Sequence, residues 1–429
     1  MVVLPPVNEP AEFNTNYILY WNSVALDLNR LVTTLSGPNN SPPGASRALA
    51  ILHLAINDAY FSVNPDPKNP TYLSATTDPK LPDLGGAKDA RLAVAAAANT
   101  VLIQQYTLPS AGVATATTQQ LAQFLQDAVT AFPNLDTLSR SYRFGVAVGN
   151  AILSLLAIKS TEPGFDQDSY RPIPGRFKFD DDPTNPVRIV PVDINNPNGP
   201  TKAIKVYSAP FYGMTAKRVA VQGTVNGASV EHIIADPPTK DPVEYYQAFD
   251  DVYREGGAQT LETTRRTPEQ TSNGLFWAYD GSNIIGTPLR LFNQIMRQVA
   301  FSKKPAGTTD EKTNADFARL FALFNASLAD AGIFAWQEKY GFEFWRPLSG
   351  VREDGGPLAD PFWLSLGAPE TNSNLIPLKP PFPSCKPLIP SLNPNPTSPP
   401  SPPLSQSHPF PSTRTPKPQK KPQLTSSPP

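Results

Sequence analysis

The residues best suited to chemistry in this sequence are two cations near position 340. Residues 330–352 read DAGIFAWQEKYGFEFWRPLSGVR, which places Lys339 seven residues before Arg346, with Pro347 directly after. Seven residues are about two turns of an α-helix, so both side chains project from one face if the helix continues through them. Arginine offers a planar fork to two oxygens and lysine adds a mobile point charge, which suits a tetrahedral oxyanion such as phosphate, sulfate or vanadate. The alternative interpretation is a solvated or ion-paired helix end.

Histidine and cysteine are scarce. The histidines are His53, His232 and His408, and the one cysteine is Cys385. His53 lies in an apolar helical segment and is expected to be a core residue, and His232 is expected to be structural as well. His408 lies in SQSHPFPS and is not expected to be a ligand. A single cysteine excludes an intramolecular disulfide and a CxxC metal site.

The composition is that of a soluble protein. The 429 residues are 40% hydrophobic and carry a net charge of −1, which predicts no general attraction to nucleic acid or to an anionic membrane. No run approaches the roughly 18 to 20 apolar residues of a membrane helix. The start, MVVLPPVNEPAEF, lacks a basic region and an apolar core of signal-peptide length. We therefore expect no nucleic-acid partner, no membrane partner and no conventional secretion signal.

Apolar periodicity predicts an all-α fold built of helical bundles. The helical segments are 12–34, 46–61, 87–106, 112–131, 138–158, 242–255, 267–278, 286–302 and 312–339. The predicted buried face of the first comprises Ile18, Trp21, Ala25, Leu28 and Leu31, and 46–61 is apolar nearly all round. The predicted buried face of the last comprises Phe317, Leu320, Phe321, Phe324, Leu328 and Ala331.

The same patterns divide the chain into four parts. Residues 1–160 are predicted to form a helical domain, and 161–240 a loop-rich connection with short strands such as VRIVPV. Residues 241–383 are predicted to form a second, incomplete helical bundle that carries the two cations. Residues 377–429 contain 19 prolines, so we expect the tail 384–429 to be disordered or polyproline-II-like.

The spacing K-x6-R-P and the words around it resemble the fungal-type vanadium-dependent chloroperoxidases, within the vanadium haloperoxidase and type 2 phosphatidic acid phosphatase superfamily. The matching words include FNTNYILYWN (13–22), LHLAINDAYFS (52–62), LFWAYDGSNIIGTP (275–288) and FEFWRPLSGVR (342–352). The resemblance extends over residues 8–383. It implies two helical bundles, a vanadate cofactor, hydrogen peroxide and chloride or bromide as substrates, and an extracellular location.

The resemblance also implies a role for individual residues. Lys339 resembles the lysine that contacts vanadate oxygens and polarises bound peroxide, and Arg346 resembles the first of two arginines on the same oxygens. Trp336 and Phe382 resemble the aromatic wall on the halide side of the pocket. Asp280 resembles an aspartate that pairs with the second arginine.

The sequence departs from the family pattern after Pro383. The family continues into P-S-G-H, whereas this chain reads SCKPLIPSL, and the R-x5-H arrangement with the second arginine and the apical histidine is absent as well. We therefore expect no apical histidine ligand and a catalytically incomplete, truncated chain. A retained intron would explain the departure, because Cys385–Lys386 encoded as TGT-AAG contains the intron start GTAAG.

Two other functions stay open. An acid phosphatase of the same superfamily would use the same cationic cradle, although Trp336 and Phe382 favour a halide pocket. A non-catalytic interaction protein would instead use tail segments such as PTSPPSPPL to dock into SH3-like or WW-like grooves.

Overall fold

Helices form where the sequence has helical periodicity, and short strands lie between the sixth and eighth helices. The computed structural model describes residues 4, 7, 9, 12–109, 113–157, 169–173, 187–191, 199–205, 207–221, 224–225, 228–229, 236–237, 242–277, 284–304, 310–354, 356 and 359–366. The helices within these residues are α1 (Glu12–Thr15), α2 (Tyr17–Leu35), α3 (Pro42–Val63), α4 (Ala90–Tyr106), α5 (Thr115–Ala131), α6 (Arg140–Leu156), α7 (Tyr212–Thr215), α8 (Pro242–Glu255), α9 (Pro268–Trp277), α10 (Pro288–Ser302), α11 (Asp310–Phe342) and α12 (Pro347–Glu353). The strands are β1 (Val187–Pro191), β2 (Thr201–Lys205), β3 (Thr224–Val225) and β4 (Ala228–Ser229), and β1 pairs antiparallel with β2, as β3 does with β4. The protein is mostly helical, as the sequence predicts.

Side-chain caps fix where several helices begin. The Asn16 side chain accepts hydrogen bonds from the backbone N–H groups of Ile18 and Leu19 at 3.0 Å, so the segment predicted as one helix over 12–34 is divided into α1 and α2 at this residue. Ser41 caps α3, whose first residue is Pro42. Such caps stabilise a helix by about 1 kcal/mol, because they satisfy backbone donors that have no partner within the helix.

Helix α3 lies at the centre of the core. Every residue from Pro43 to Phe61 is buried, and α3 packs against α4, α6 and α11. The five apolar residues predicted to share one face of α2 are all buried as well. The sequence-based interpretation of these two segments as core helices is confirmed.

One hydrophobic core includes residues from both ends of the described chain. It takes side chains from α2 to α6 and also Leu289 and Ala300 of α10 and Phe317 and Phe321 of α11. A smaller cluster joins α8 to α12 and consists of Tyr245, Phe249, Trp345, Val351 and Trp363. The domain boundaries near residues 160 and 240 stay predictions, but α10 and α11 complete the core of the N-terminal helices.

The buried face of α11 differs from the predicted one. Phe317 and Phe321 are buried as expected, but Ala331 is exposed, and Phe324 is only partly buried. The buried face instead includes Asn325 and Asp330, two polar residues that the apolar pattern passes over. Asp330 is buried because its carboxylate accepts hydrogen bonds from the backbone N–H groups of residues 219, 220 and 221 at 2.6–2.8 Å.

One stretch, Asp310–Glu353, is long and apolar enough to cross a membrane, and 56% of its most apolar window is buried inside the protein. Most of this stretch is α11, whose apolar side chains pack against α3. A core helix of this length passes the same test of length and composition, so the stretch is weak support for a membrane span.

A row of polar side chains crosses the hydrophobic core. We call it the buried polar seam, and it consists of Asn22, His53, Asn293, Arg297 and Asn325, which are all fully buried. The Asn22 amide donates to His53 Nε2 at 2.9 Å and to Asn293 Oδ1 at 3.2 Å, and Asn293 bonds to Asn325 at 2.8 Å. The seam therefore joins α2, α3, α10 and α11 through directional bonds, which apolar contacts alone do not provide.

Burial keeps His53 neutral. Because the Asn22 amide nitrogen can only donate, His53 Nε2 must accept, and the proton of the neutral ring is on Nδ1. Removal from water, with a smaller effect of the nearby Arg297 cation, lowers the pKa of His53 from 6.5 to about 3. The His53 ring also stacks on Phe321, with ring centroids 5.4 Å apart.

His53 should make the protein less stable in acid. Between pH 6.5 and 3 the unfolded state binds a proton at this residue and the folded state does not, so its contribution to stability falls as the pH falls. We expect the free energy of unfolding of wild type, relative to His53→Gln, to decrease by about 2–3 kcal/mol from about pH 7.5 to about pH 4.5, measured by urea denaturation. Burial raises the pKa of Asp58 to about 6, so its contribution to stability rises as the pH falls. This contribution is the same in wild type and His53→Gln and therefore cancels in the difference. A difference that does not change with pH would contradict the assignment.

Candidate functional site

Lys339 lies on the surface, in the last turn of α11. Its ammonium is 4.1 Å from the centroid of the Trp336 ring, one helical turn earlier. Lys339 is exposed and Trp336 is partly buried. The lysine is therefore on the same helix face as the tryptophan, and its charge rests against the aromatic face.

The segment around Ser208 holds this turn of the helix. The Trp336 indole N–H and the Tyr340 hydroxyl both donate to the backbone carbonyl of Ser208, each at 2.8 Å. At Gly213 in α7, a Cβ atom would lie 2.0 Å from the backbone nitrogen of Gln337, so α7 approaches α11 at a distance that only glycine permits. Contacts with Ser208 and with Gly213 of α7 thus hold the backbone of α11 around Lys339.

Helix α11 does not continue to Arg346. It ends at Phe342, and Glu343 has a φ of 47°, in the left-handed region. The Glu343 carboxylate accepts hydrogen bonds from the Tyr170 hydroxyl at 2.6 Å and from the Ile173 N–H at 2.7 Å. Burial, and then the bond to Glu343, raise the pKa of Tyr170 well above its usual range. Both cations would share one helix face only if the helix continued through them. It does not, and the contacts of Glu343 lie where α11 ends, between Lys339 and Arg346.

Arg346 is placed by a different part of the structure. It is the N-cap of α12 and has extended backbone geometry, and its carbonyl accepts from the Gly350 N–H at 2.9 Å. Pro347 follows at the first helical position, where a missing N–H costs nothing. The neighbouring Trp345 is buried in the cluster between α8 and α12, whereas Arg346 is half-buried.

Among the described residues singled out in the sequence, Trp336 contacts Lys339. Asp280, Phe382, His232, His408 and Cys385 lie outside the described residues. His53 is in the core and has no exposed surface, as the sequence analysis predicted. Within the described part of the chain, no group of three or more His, Cys, Asp or Glu residues could hold a metal ion.

Two residues that position the candidate site had no assigned role in the sequence analysis. Ser208 contributes only a backbone carbonyl, for which side-chain patterns give no signal. Glu343 did carry a signal, because a carboxylate at the C-terminal end of a helix is unfavourable for the helix dipole and indicates another use for the side chain. That use is the pair of hydrogen bonds to Tyr170 and Ile173.

Sequence comparison shows which known proteins this chain is similar to. The profile of the family described as "Vanadium chloroperoxidase N-terminal domain" matches residues 4–218, which is half of the 429 residues. The vanadium chloroperoxidase of Curvularia inaequalis is 49% identical over 403 residues, and the match covers 89% of this chain. The chain spans 64% of the length of that relative.

Solved structures that match this chain include a bacterial vanadium-dependent iodoperoxidase, with a TM-score of 0.46 and 16% identity over 82% of this chain and 74% of the other. They also include the apo form of a bacterial vanadium-dependent chloroperoxidase, with a TM-score of 0.42 and 16% identity over 74% of this chain and 66% of the other. The family match rests on sequence, namely the half of the chain that fits the profile. On that ground, this chain belongs to the vanadium chloroperoxidase family.

Proposed function

We propose that this chain binds a tetrahedral oxyanion, vanadate or phosphate, through Lys339 and Arg346. The observation that carries the proposal is the placement of the two cations of K-x6-R-P at the end of α11 and at the start of α12, on backbone held by other parts of the fold. A guanidinium and an ammonium together match the charge and the oxygen spacing of such an anion.

The vanadate that the family implies fits these residues in charge. Coordination of vanadate by a histidine nitrogen does not fit the described residues. The one histidine among them is His53, which is fully buried and hydrogen-bonded to Asn22. Residues 384–429 contain neither P-S-G-H nor an R-x5-H arrangement. The residues present therefore support an anion held by charge-assisted hydrogen bonds, and we derive no oxidation step from them.

We accordingly do not propose halide oxidation for these residues. The peroxide and halide chemistry implied by the family resemblance belongs to relatives with the further arginine, serine, glycine and histidine residues. In this chain, one lysine and one arginine provide part of that charge, and the proposed function is oxyanion binding without turnover.

Removing either cation should weaken oxyanion binding. We expect Lys339→Met and Arg346→Met each to raise the dissociation constant for orthovanadate at least roughly ten-fold, since a hydrogen bond to a charged group contributes about 1.5–3 kcal/mol. Isothermal titration calorimetry of the full chain with orthovanadate, and separately with orthophosphate, measures the effect.

Two matched controls separate a binding site from a general loss of positive charge. Lys312→Met removes an exposed lysine from the same helix, 27 residues earlier and so about 40 Å away along the axis. Arg143→Met removes an exposed arginine from α6. Equal losses in the controls and in the site variants would overturn the proposal. Chloride or bromide oxidation by the wild-type chain with hydrogen peroxide, abolished in Lys339→Met, would show that the chain does turn over.

A further inference from the structure

The Lys339 ammonium lies over the Trp336 ring. They are separated by one turn of α11, and Nζ is 4.1 Å from the ring centroid. A cation over the face of an indole is attracted by the negative charge of the π system, and tryptophan is the best residue for this purpose. Lysine has four rotatable bonds, so a contact of this kind selects among many conformations of the side chain.

The indole is itself held in place. Its N–H donates to the Ser208 carbonyl at 2.8 Å, and the ring packs beside Tyr212 and Ile333. A bond at one edge and packing around the ring prevent it from following the lysine. The tryptophan is therefore a fixed support for the lysine.

We propose that Trp336 is a positioning residue for Lys339, which sets the ammonium in the conformation that receives the oxyanion. This inference rests on the proposed function. It differs from the role that the family resemblance implies for Trp336, a wall on the halide side, because here the ring supports the Lys339 ammonium, which lies over one of its faces. Exposed cation–π contacts are modest, so we expect Trp336→Leu to weaken orthovanadate binding about two- to five-fold.

A double-mutant cycle tests the coupling. Orthovanadate affinity is measured by calorimetry on the full chain for wild type, Trp336→Leu, Lys339→Met and the double variant. We expect Trp336→Leu to weaken binding when Lys339 is present and to have no further effect when it is methionine. A purely structural tryptophan would reduce affinity equally in both backgrounds, and this result would overturn the proposal.

A second measurement does not depend on oxyanion binding. Nuclear magnetic resonance of the chain with ¹³C at the lysine ε carbons reports ring-current shifts, and the Lys339 signal is assigned by its loss in Lys339→Met. We expect an upfield ε-methylene signal that persists in Trp336→Phe and disappears in Trp336→Leu. Trp277→Leu, which removes an exposed tryptophan from α9, is the control and should leave the signal in place.

The two measurements distinguish the possible failures. An ordinary Lys339 signal in wild type overturns the positioning role. A shifted signal with orthovanadate affinity that is the same in wild type and Trp336→Leu overturns it as well. A shifted signal in a chain that does not bind orthovanadate or orthophosphate overturns the proposed function, and with it the positioning role for that function.

Discussion

Replacing Arg297 with methionine is expected to destabilise the protein by about 3–5 kcal/mol, the cost of breaking a buried ion pair from one side. Arg297 is fully buried, and its guanidinium bonds to both oxygens of Glu9 at 2.6–2.9 Å and to the Leu19 carbonyl at 2.7 Å. It also donates to Asn22 Oδ1 at 3.0 Å, within the buried polar seam. Methionine fills much of the volume but removes the donor to the buried Leu19 carbonyl and Asn22 Oδ1 and to the mostly buried Glu9 carboxylate. Urea denaturation at neutral pH, read as the change in the midpoint at constant slope, measures the loss.

The matched control is Arg254→Met. Arg254 also pairs with a carboxylate, that of Asp250 at 2.7 Å, but the arginine is about one-third exposed and its partner about two-fifths. Exposed pairs of this spacing contribute about 0.3–0.5 kcal/mol, so the control should be close to wild type. Similar losses in Arg254→Met and Arg297→Met would show that burial of the pair is not what determines the effect.

Replacing Gly145 with alanine is the second change with a large expected effect. Gly145 lies on α6 where it crosses α4, and a Cβ atom there would be 2.0 Å from the Ala93 carbonyl oxygen and 2.8 Å from the Ala96 Cβ. The first atom is part of the backbone of α4 and the second is attached directly to it, so neither can move unless the helix moves. We expect a loss of about 3 kcal/mol, at the upper end of the usual cost of overpacking, as α4 and α6 are forced apart. Thermal and urea denaturation of the variant measure the loss.

Gly341→Ala is the control for this prediction. Gly341 lies near the end of α11, and a Cβ atom there would meet no atom within 4 Å. Alanine is favoured over glycine in a helix by roughly 0.5–1 kcal/mol, so this variant should be as stable as wild type or more stable. The same substitution is thus expected to act in opposite directions at the two glycines. Destabilisation of both by a similar amount would exclude close helix contact as the cause.

Much of the fold could be predicted from the sequence because its helices bury apolar faces of regular spacing. Ile18, Trp21, Ala25, Leu28 and Leu31 recur at helical intervals, and all of them are buried in α2. The 46–61 segment is apolar nearly all round, which predicts a helix buried on most sides. In both cases the local pattern and the tertiary packing require the same residues.

The buried face of α11 was predicted only in part because polar residues belong to it. Asn325 can be buried because it is hydrogen-bonded to Asn293. Asp330 can be buried because its carboxylate accepts hydrogen bonds from the backbone N–H groups of residues 219–221. Both partners are distant in the chain. Hydrophobic periodicity treats such residues as exposed, so it assigns the edges of a mixed face incorrectly.

The backbone that carries the candidate site could not be predicted from the sequence. The motif singled out Lys339 and Arg346, whose side chains would share one face only if a helix continued through both. The helix ends between them because Glu343 bonds to Tyr170 and Ile173, about 170 residues earlier in the chain. Spacing within a motif contains no information about such a contact. The proposed roles of Asp280 and Phe382 stay predictions.

The packing of α11 on α3 has a consequence for how the protein is made. His53 stacks on Phe321, and the Tyr60 hydroxyl bonds to the Glu311 carbonyl, so these contacts join residues more than 250 positions apart. At a synthesis rate of about 5–20 residues per second, translation of α11 follows that of α3 by roughly 12–50 s. Contacts of such long range also form slowly, because the intervening chain must first be brought together. An apolar surface left uncovered for that time is a target for chaperones and for aggregation, and the yield of soluble protein should depend on expression temperature and chaperone supply.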